Sequence, residues 1–363
     1  MKIVRELEET TWRVFVEQHS DGMIFHSPEM FHVFGRTKGC RPELWAAVEN
    51  GRIMALILPV RIAWKEGAFR PWTSRAVCFG GVLGCPGAEG KSALSFLLNA
   101  YARETRHAVI FTDIRNRCDS GPIQPILRRE GFRFEDHLEY VIDLERPLEA
   151  IFQSIGRRTR KHIKHGLKRD AVRLEEIHDR RRLGECYDLL VKTYRAAKVP
   201  ITDRSLFEAA FDLLYPRNMV RFALATVDGQ PAAVSVELLY KKAMFGWYGG
   251  MDRRYSAFVP NELLMWDIFQ WGTKNGYRRY EFGGAGKPNE TYGVRDFKAK
   301  FGGTLVNYGR NSRIHRPLVY KIGRTAFHIA RGILGQSVNG VFLPSLKADE
   351  ACPGKRGRSG GEG

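Results

Sequence analysis

The residues best suited to chemistry lie in one stretch, Glu281–Gly303, which reads EFGGAGKPNETYGVRDFKAKFGG. Within it, Lys298 directly follows Phe297 and stands three residues before Phe301. A lysine among aromatic residues either extends its ammonium group to water or holds that group against an anion or a developing oxyanion. The stretch therefore indicates either a lysine-based reaction site or, more simply, a strand and turn before an amphipathic helix.

A strand must lead the chain to this lysine. The run Tyr280–Phe282 is typical of a strand, and it enters the glycine pair Gly283 and Gly284. Glycines at a strand end let the backbone bend sharply or come close to another group. We therefore expect the two glycines, together with Phe297, to border a bound substrate.

A second candidate surface is the basic run GRRTRKHIKHGLKR, which ends at Arg169 and meets no acidic residue before Asp170. Its apolar positions recur at helical spacing, so the charges collect on the opposite face. Such dense positive charge repels itself unless an anion is present, although a solvated helix face is the simpler alternative. The candidate phosphate-binding residues are Arg157, Arg158, Arg160 and Lys161.

Composition limits the class of protein. The 363 residues carry a formal net charge of +18, which favours anionic partners such as phosphates, nucleic acid or an acidic membrane surface. The six cysteines are scattered without zinc-type spacing, so we expect no metal site. The amino terminus has no signal-peptide pattern, and no apolar run is long enough for a membrane span. A cytoplasmic location, with contact to the inner membrane face as an option, is the expectation.

The order of predicted elements indicates two α/β domains. Strands alternate with helices throughout, and both halves contain a strand that ends in a glycine pair before a helix of about 14 residues. We predict one domain over residues 1–145 and a second over residues 146–310. A basic amphipathic helix over residues 311–346 and a disordered tail over residues 347–363 are predicted to follow.

The strand ending in Phe-Gly-Gly, the tyrosine-containing loop and the Phe-Lys-x-x-Phe-Gly motif at Phe297–Gly302 resemble the second domain of FemAB-type transferases. These are tandem-GNAT proteins, and their relatives include the BioF-like or CelD-like acetyltransferase domains. The basic helix and the Asp228-Gly229 turn add to the resemblance, which is good over residues 140–305 and weak before them. It implies two tandem GNAT-like domains, each a mixed sheet flanked by helices.

The resemblance implies acyl or aminoacyl transfer to an amine, without a metal or a permanently bound cofactor. The co-substrate is then acyl-CoA or, in the cell-wall branch, aminoacyl-tRNA. The family's functional lysine corresponds to Lys298, to which we assign stabilisation of the carbonyl or leaving group. Glu281 is the candidate general base and Tyr292 a candidate proton donor, with a buried structural carboxylate as the alternative for Glu281.

The donor site is less well defined. The glycine-rich loop that cradles CoA pyrophosphate in many relatives is replaced here by Asp252–Pro260. Arg253, Arg254 and the helix start near Asn261 are the candidates for holding a donor phosphate.

Three functions therefore stay open. The first is an N-acyltransferase acting on a sugar, a lipid-linked precursor or an amino compound. The second is an aminoacyl-tRNA-dependent peptidyltransferase of cell-wall cross-bridge synthesis. The third is a non-catalytic basic module that binds nucleic acid or membrane, for which no sequence-specific DNA-binding motif is visible.

Overall fold

The structure is a computed structural model, and it describes residues 1–63, 70–197, 199–323 and 325. The helices are α1 (Glu9–Gln18), α2 (Pro28–Arg36), α3 (Arg70–Thr73), α4 (Gly87–Thr105), α5 (Gln124–Arg129), α6 (Leu148–Ser154), α7 (Arg157–Arg169), α8 (Leu183–Ala196), α9 (Ser205–Leu214), α10 (Pro260–Lys274) and α11 (Gly293–Ala299). The strands are β1 (Lys2–Val4), β2 (Cys40–Pro42), β3 (Trp45–Glu49), β4 (Arg52–Ile57), β5 (Val60–Ala63), β6 (Ser74–Cys78), β7 (Leu83–Gly84), β8 (Phe111–Arg115), β9 (Arg133–Glu135), β10 (Leu138–Asp143), β11 (Val172–Glu176), β12 (Val220–Val227), β13 (Gln230–Tyr240), β14 (Ala243–Met251), β15 (Arg279–Gly284), β16 (Thr304–Asn307) and β17 (Arg310–Ile314).

Helices flank three sheets, which confirms the predicted α/β class. A four-stranded sheet has the order β1-β3-β4-β7, and a six-stranded sheet has the order β2-β5-β6-β8-β17-β9. The seven-stranded sheet of the second half has the order β11-β12-β13-β14-β15-β10-β16. Its neighbours β14 and β15 run parallel and pair only from Ala243 to Phe245, although β14 continues to Met251. The carboxyl end of β15 is therefore released from β14 and becomes available to other groups.

The seven-stranded sheet is buried on both faces. Val234 and Val236 of β13 pack with α8 and α9 on one side, while Ala233 and Leu239 pack with α10 on the other. A strand covered on both faces is apolar at most positions, and in β13 only Ser235 and Glu237 interrupt the apolar run from Ala232 to Leu239. This double cover makes the sheet a rigid frame for the end of β15.

Two strands join the halves of the chain. Strand β10 precedes the predicted boundary at residue 145, yet it lies between β15 and β16 of the second half. Strand β17 follows the second half in sequence, yet it lies between β8 and β9 of the first. The division at residue 145 stays a prediction, and the sheets on either side of it share strands.

The prediction of a helix beginning at residue 311 is wrong at its start, because Arg310–Ile314 is β17. Polar residues dominate this strand, which hides its period-2 pattern from a hydropathy reading. Residues 317–323 are helical, and the rest of the predicted helix and the tail over 347–363 lie outside the described residues. Within the described ranges, no helix is both long and apolar enough to cross a membrane.

The basic helix α7 packs through one narrow face. Thr159, Ile163 and Gly166 are buried, whereas its lysines and most of its arginines point away. A Cβ atom at Gly166 would lie 3.0 Å from atoms of Val259 and of Leu263, so α7 and α10 approach closely there. The predicted segregation of charge onto the outer face is therefore present in the structure.

We predict that Gly303→Ala destabilises the fold more than Gly229→Ala. Both glycines have positive φ, +87° and +73°, so alanine at either should cost about 1–2 kcal/mol in backbone strain. A Cβ at Gly303 would also lie 2.6 Å from the Val141 carbonyl oxygen of β10, whereas none of the surrounding atoms lies within 4 Å at Gly229. Urea unfolding should give a total loss of about 3 kcal/mol or more for Gly303→Ala. Equal losses for the two variants would contradict this view of the β10–β16 junction.

Candidate active site

Lys298 is buried at the end of β15. Its side chain projects from α11, is 8% exposed, and directs its ammonium group at the strand end. The Nζ atom donates to the main-chain carbonyls of Phe282 at 2.7 Å, Gly283 at 3.0 Å and Gly284 at 2.8 Å. Lys298 therefore joins the two parts of the predicted stretch, the glycine pair and the Phe-Lys-x-x-Phe-Gly motif.

The protonation of Lys298 is finely balanced. Burial lowers the pKa of its ammonium group to about 7, with Glu139 opposing the shift and Arg117 adding to it. The three carbonyls favour the ammonium form, since a neutral amine has only two N–H groups to donate. A lysine in this position can hold its charge against an oxyanion and can also release a proton near neutral pH.

Glu281 is the residue before the three carbonyls that bind Lys298. Its carboxylate is 3% exposed, and Oε1 lies 2.8 Å from Nε of Arg279. Burial and the neighbouring Glu139 raise the pKa of Glu281 to about 7. Oε2 is buried and has no hydrogen-bond partner within the described chain. A carboxyl group with these properties is suited to accept a proton near neutral pH.

Two residues of this site were missed by the sequence reading. Glu139 of β10 lies across the strand pair from Gly284, and Arg117, which follows β8, donates to its Oε2 at 2.8 Å. The Arg117 guanidinium also stacks 4.4 Å from the ring centroid of Phe245. Charged residues at the ends of β8 and β10 are the only sequence signal for them. The first half of the chain therefore contributes directly to the site.

Tyr292 stands at the start of α11 and is half-buried. Its ring lies against Gly286, where a Cβ would be 3.0 Å from it. Burial raises the pKa of the Tyr292 hydroxyl, and Arg310 of β17 opposes that rise. The predicted role of Tyr292 as a proton donor stays a prediction.

Phe297 is half-buried, with its ring 5.2 Å from that of Phe301 in an edge-on arrangement. Phe301 belongs to the apolar core around α10, and Phe297 packs against that core. The predicted contact of Phe297 with a substrate stays a prediction.

The start of α7 lies beside the end of the motif. The Gly156 amide donates to the Lys300 carbonyl at 2.8 Å. Arg157, Arg158 and Lys161 are exposed, whereas Arg160 donates to the carbonyls of Gln153 and Ile155 and so caps α6. Three of the four predicted phosphate-binding side chains are therefore free to meet an anion near the motif.

The other predicted phosphate ligands lie at the opposite end of α7. Arg253–Phe258 forms a 3-10 helix, and Arg254 pairs with Asp252 at 2.7 Å. Asn261 is in the first turn of α10, whose packing on α7 brings Phe258 within 4.2 Å of the Arg169 guanidinium. A helix of 13 residues is about 20 Å long, so this group and the α7 start are separate.

Comparison with known proteins shows which domain family and which solved structures this chain resembles. Residues 153–298 match the family described as an acetyltransferase (GNAT) domain, and this range ends at Lys298. The crystal structure of FemX aligns with a TM-score of 0.69 at 14% identity, covering 89% of this chain and 99% of FemX. L-PGS from Bacillus licheniformis aligns with a TM-score of 0.55 at 15% identity, covering 86% of this chain and 94% of that one.

A tandem GNAT protein from the clavulanic acid biosynthesis pathway is also similar. It aligns with a TM-score of 0.54 at 11% identity, covering 86% of this chain and 98% of that protein. A search of curated protein sequences gave no match. At these identities, the structural likenesses establish the fold over most of the chain.

We predict that Glu281→Gln changes how stability depends on pH. The folded-state pKa of Glu281 is about 7, whereas its ordinary value is 4.5, so its protonated form stabilises the fold fully below pH 4.5. This stabilisation is lost as the pH rises through 7. Between pH 4.5 and 8, the free energy of unfolding of the wild type should fall by about 3 kcal/mol relative to the variant.

Urea unfolding at a series of pH values measures this difference. Glu290→Gln, which changes an exposed glutamate of the same stretch, is the matched control and should follow the wild type. Parallel pH curves for wild type and Glu281→Gln would show that Glu281 does not hold its proton in the folded protein.

Proposed function

We propose that the chain is a FemAB-like tandem-GNAT acyltransferase, which transfers an activated acyl group to the amine of its acceptor at the carboxyl end of β15. One observation carries the proposal: the Lys298 ammonium and the Glu281 carboxyl, which has an unpartnered oxygen, are buried at the same strand end. Opposite charges held ready in a site of low polarity stabilise charge that develops during a reaction.

In the proposed step, every bond that forms is matched by one that breaks, and the proton passes from the amine to the leaving group. The neutral amine of the acceptor attacks the carbonyl carbon of the donor, forms the C–N bond and gives its proton to Glu281. The carbonyl oxygen becomes an oxyanion, which takes one of the three N–H bonds that Lys298 now gives to main-chain carbonyls. The C–S or C–O bond to the leaving group then breaks, and that group takes the proton back from Glu281.

Glu139 and Arg117 support this assignment of roles. Their ion pair at 2.8 Å uses one oxygen of Glu139 and places a compensated charge pair beside the reacting groups. Glu281 is then the carboxyl whose pKa is raised to about 7, as a general base at neutral pH requires. Arg117 and Glu139 are positioning residues in this proposal.

We predict that Lys298→Met lowers kcat at least about 100-fold, because the oxyanion loses its charged partner. Acyl transfer is measured with labelled acyl-CoA and with charged tRNA as donors. Lys300→Met is the matched control, since Lys300 is exposed in the same motif and should keep its activity.

Lys298→Met also leaves three carbonyls without a donor, so folding must be checked by circular dichroism. Glu281→Gln gives an independent test. This variant should lose turnover, and its activity should no longer increase as the pH rises through 7. Full turnover in a folded Lys298→Met protein would rule out the proposed chemistry.

The exposed basic start of α7 favours a second, more specific candidate, in which the donor is aminoacyl-tRNA. Arg157, Arg158 and Lys161 project into solvent beside the motif, and the net charge of +18 favours a polyanion. The segment Arg253–Phe258, which replaces the usual CoA loop, keeps Arg254 paired with Asp252 and 72% exposed. Two of the similar structures are a domain of a putative lysylphosphatidylglycerol synthetase and L-PGS, so a lipid acceptor is one of the amine classes to test.

We predict that a triple change of Arg157, Arg158 and Lys161 to Gln weakens binding of charged tRNA about tenfold at low salt and flattens its salt dependence. The control is a triple change of three exposed arginines of the first half, Arg52, Arg103 and Arg106, to Gln. Filter binding at several salt concentrations gives both quantities. Equal losses for the two triples would mean that the affinity reflects overall charge, and unchanged binding by the α7 triple would exclude this face as the donor site.

A further inference from the structure

A cavity of about 580 Å³ lies at the end of the seven-stranded sheet that is remote from Lys298. It is lined by Tyr240 and Lys241, where β13 turns into β14, and by Tyr277, which precedes β15. Lys298 binds the last three residues of β15, a strand of six residues that spans about 17 Å. The cavity is therefore separate from the proposed reaction site, and its volume is in the range of small-molecule sites.

The two halves of the chain line this cavity with opposite charges. The first half supplies Glu17 of α1 and Glu29 of α2, which we call the acidic wall, together with Arg13, whose guanidinium pairs with Glu29. The second half supplies Arg217, which follows α9, and Lys241, which we call the basic wall. A molecule in the cavity would therefore meet negative charge from one half and positive charge from the other.

The acidic wall has a buried oxygen that no donor satisfies. Glu29 is 7% exposed, and both Nε and Nη2 of Arg13 bind the same atom, Oε1, at 2.9 and 2.8 Å. Oε2 of Glu29 is buried and has no hydrogen-bond partner among the described residues. A buried acceptor without a donor costs free energy, which a ligand with an N–H group would recover.

The Tyr240 hydroxyl is a second buried polar group without a hydrogen-bond partner in the described part of the chain. Burial, together with Glu17 and Glu29, raises the pKa of this hydroxyl, and Arg13 opposes the rise. The phenol therefore stays protonated and lies close to both carboxylates. Two residues that line the cavity thus carry buried polar atoms whose hydrogen bonds a ligand can complete.

The basic wall has spare donors. Arg217 Nη1 donates to the Leu213 carbonyl at 3.0 Å, and Lys241 Nζ donates to the His19 carbonyl at 2.8 Å. Neither Arg217 nor Lys241 forms an ion pair within the described ranges, and both side chains are exposed. An ammonium has three N–H groups and a guanidinium five, so each side chain keeps donors for an anion.

The two walls are held in place by the protein itself. The bond from Lys241 to the carbonyl of His19 joins the second half to the first, and Tyr240 packs against the core that contains Trp12 and Val16 of α1. Buried Leu239 adds apolar surface to the cavity. A site that is already formed loses little conformational freedom when a ligand binds, which favours affinity for a small molecule.

We propose that this cavity binds a small zwitterion, whose ammonium group meets the acidic wall and whose carboxylate meets the basic wall. The ammonium donates to Oε2 of Glu29 and to Glu17, and the carboxylate accepts from Arg217 and Lys241, which makes both contacts charge-assisted. A molecule with only one of these charges would satisfy one wall and leave the other unused. Free amino acids and short peptides have the required chemistry, and their binding here does not depend on the proposed function.

Isothermal titration calorimetry of the full-length protein tests the proposal. Glycine, diglycine and triglycine carry the same two charged ends at increasing separation, whereas acetate and methylammonium carry one end each. All titrations are made at the same ionic strength, set with sodium chloride. At least one of the three zwitterions should bind with a Kd in the millimolar range or below, about tenfold or more tighter than acetate and methylammonium.

One variant on each wall localises the binding. Glu29→Gln and Arg217→Gln should each weaken binding of the zwitterion about tenfold, because each removes one charged contact. The matched controls are Glu89→Gln on α4 and Arg173→Gln on β11, both exposed and outside the cavity, and they should bind like the wild type. Circular dichroism checks folding, and if Glu29→Gln does not fold, Glu17→Gln takes its place.

Lys298→Met separates this site from the reaction site. The zwitterion should bind this variant with wild-type affinity, since the cavity lies at the other end of β15. A loss of binding in Lys298→Met would place the probes at the reaction site and overturn the inference. Turnover of the same variant tests the proposed function, so either conclusion can fail without the other.

Three further results would overturn the proposal. The first is the absence of zwitterion binding to the wild type, and the second is acetate or methylammonium binding as tightly as the zwitterions. The third is a wall variant, Glu29→Gln or Arg217→Gln, that binds as tightly as its control.

Discussion

Charged side chains buried where the two halves meet are the constraint on which the rest of this structure depends. Lys298, Glu281 and Glu139 are each less than 10% exposed, and Arg117 crosses from the first half to join them. A buried charge costs free energy unless another charge or hydrogen bonds compensate it. The three carbonyls at the end of β15 compensate Lys298, and Arg117 compensates Glu139.

That constraint explains why the halves exchange strands. Glu139 can reach the end of β15 only because β10, from before the predicted boundary, pairs with β15 in the seven-stranded sheet. Arg310 can face Arg115 only because β17, from after the second half, pairs with β8. Each exchanged strand is held in register by hydrogen bonds to its neighbours, and this register fixes the position of its charged residue. Two domains joined only by a linker would move relative to each other and lose these contacts.

The same arrangement contains two kinds of positively charged surface. The start of α7 carries exposed, solvated charge, whereas Arg115 and Arg310 face each other across β8 and β17 beside the carboxylate of Asp113. Solvated charge accelerates encounter and is sensitive to salt, while confined arginines select geometry.

The amino-acid sequence by itself determined the α/β class, the helix Arg157–Arg169 with its charged outer face, and the position of Lys298 among aromatic residues. These follow from local periodicity and from side-chain chemistry, which are properties of neighbours in the chain. The position of Glu281 at a strand end was also visible, although its unpartnered oxygen was not.

Only the tertiary structure decided which groups meet. It assigned Arg160 to capping α6, placed the arginines at 253 and 254 at the far end of α7, and turned residues 310–314 into a strand of the first half. It also brought Arg117 and Glu139 to Lys298. Periodicity tells which face of an element is buried, but not which distant element covers it. Partners of a buried charge therefore come from long-range packing and strand register, which no local pattern contains.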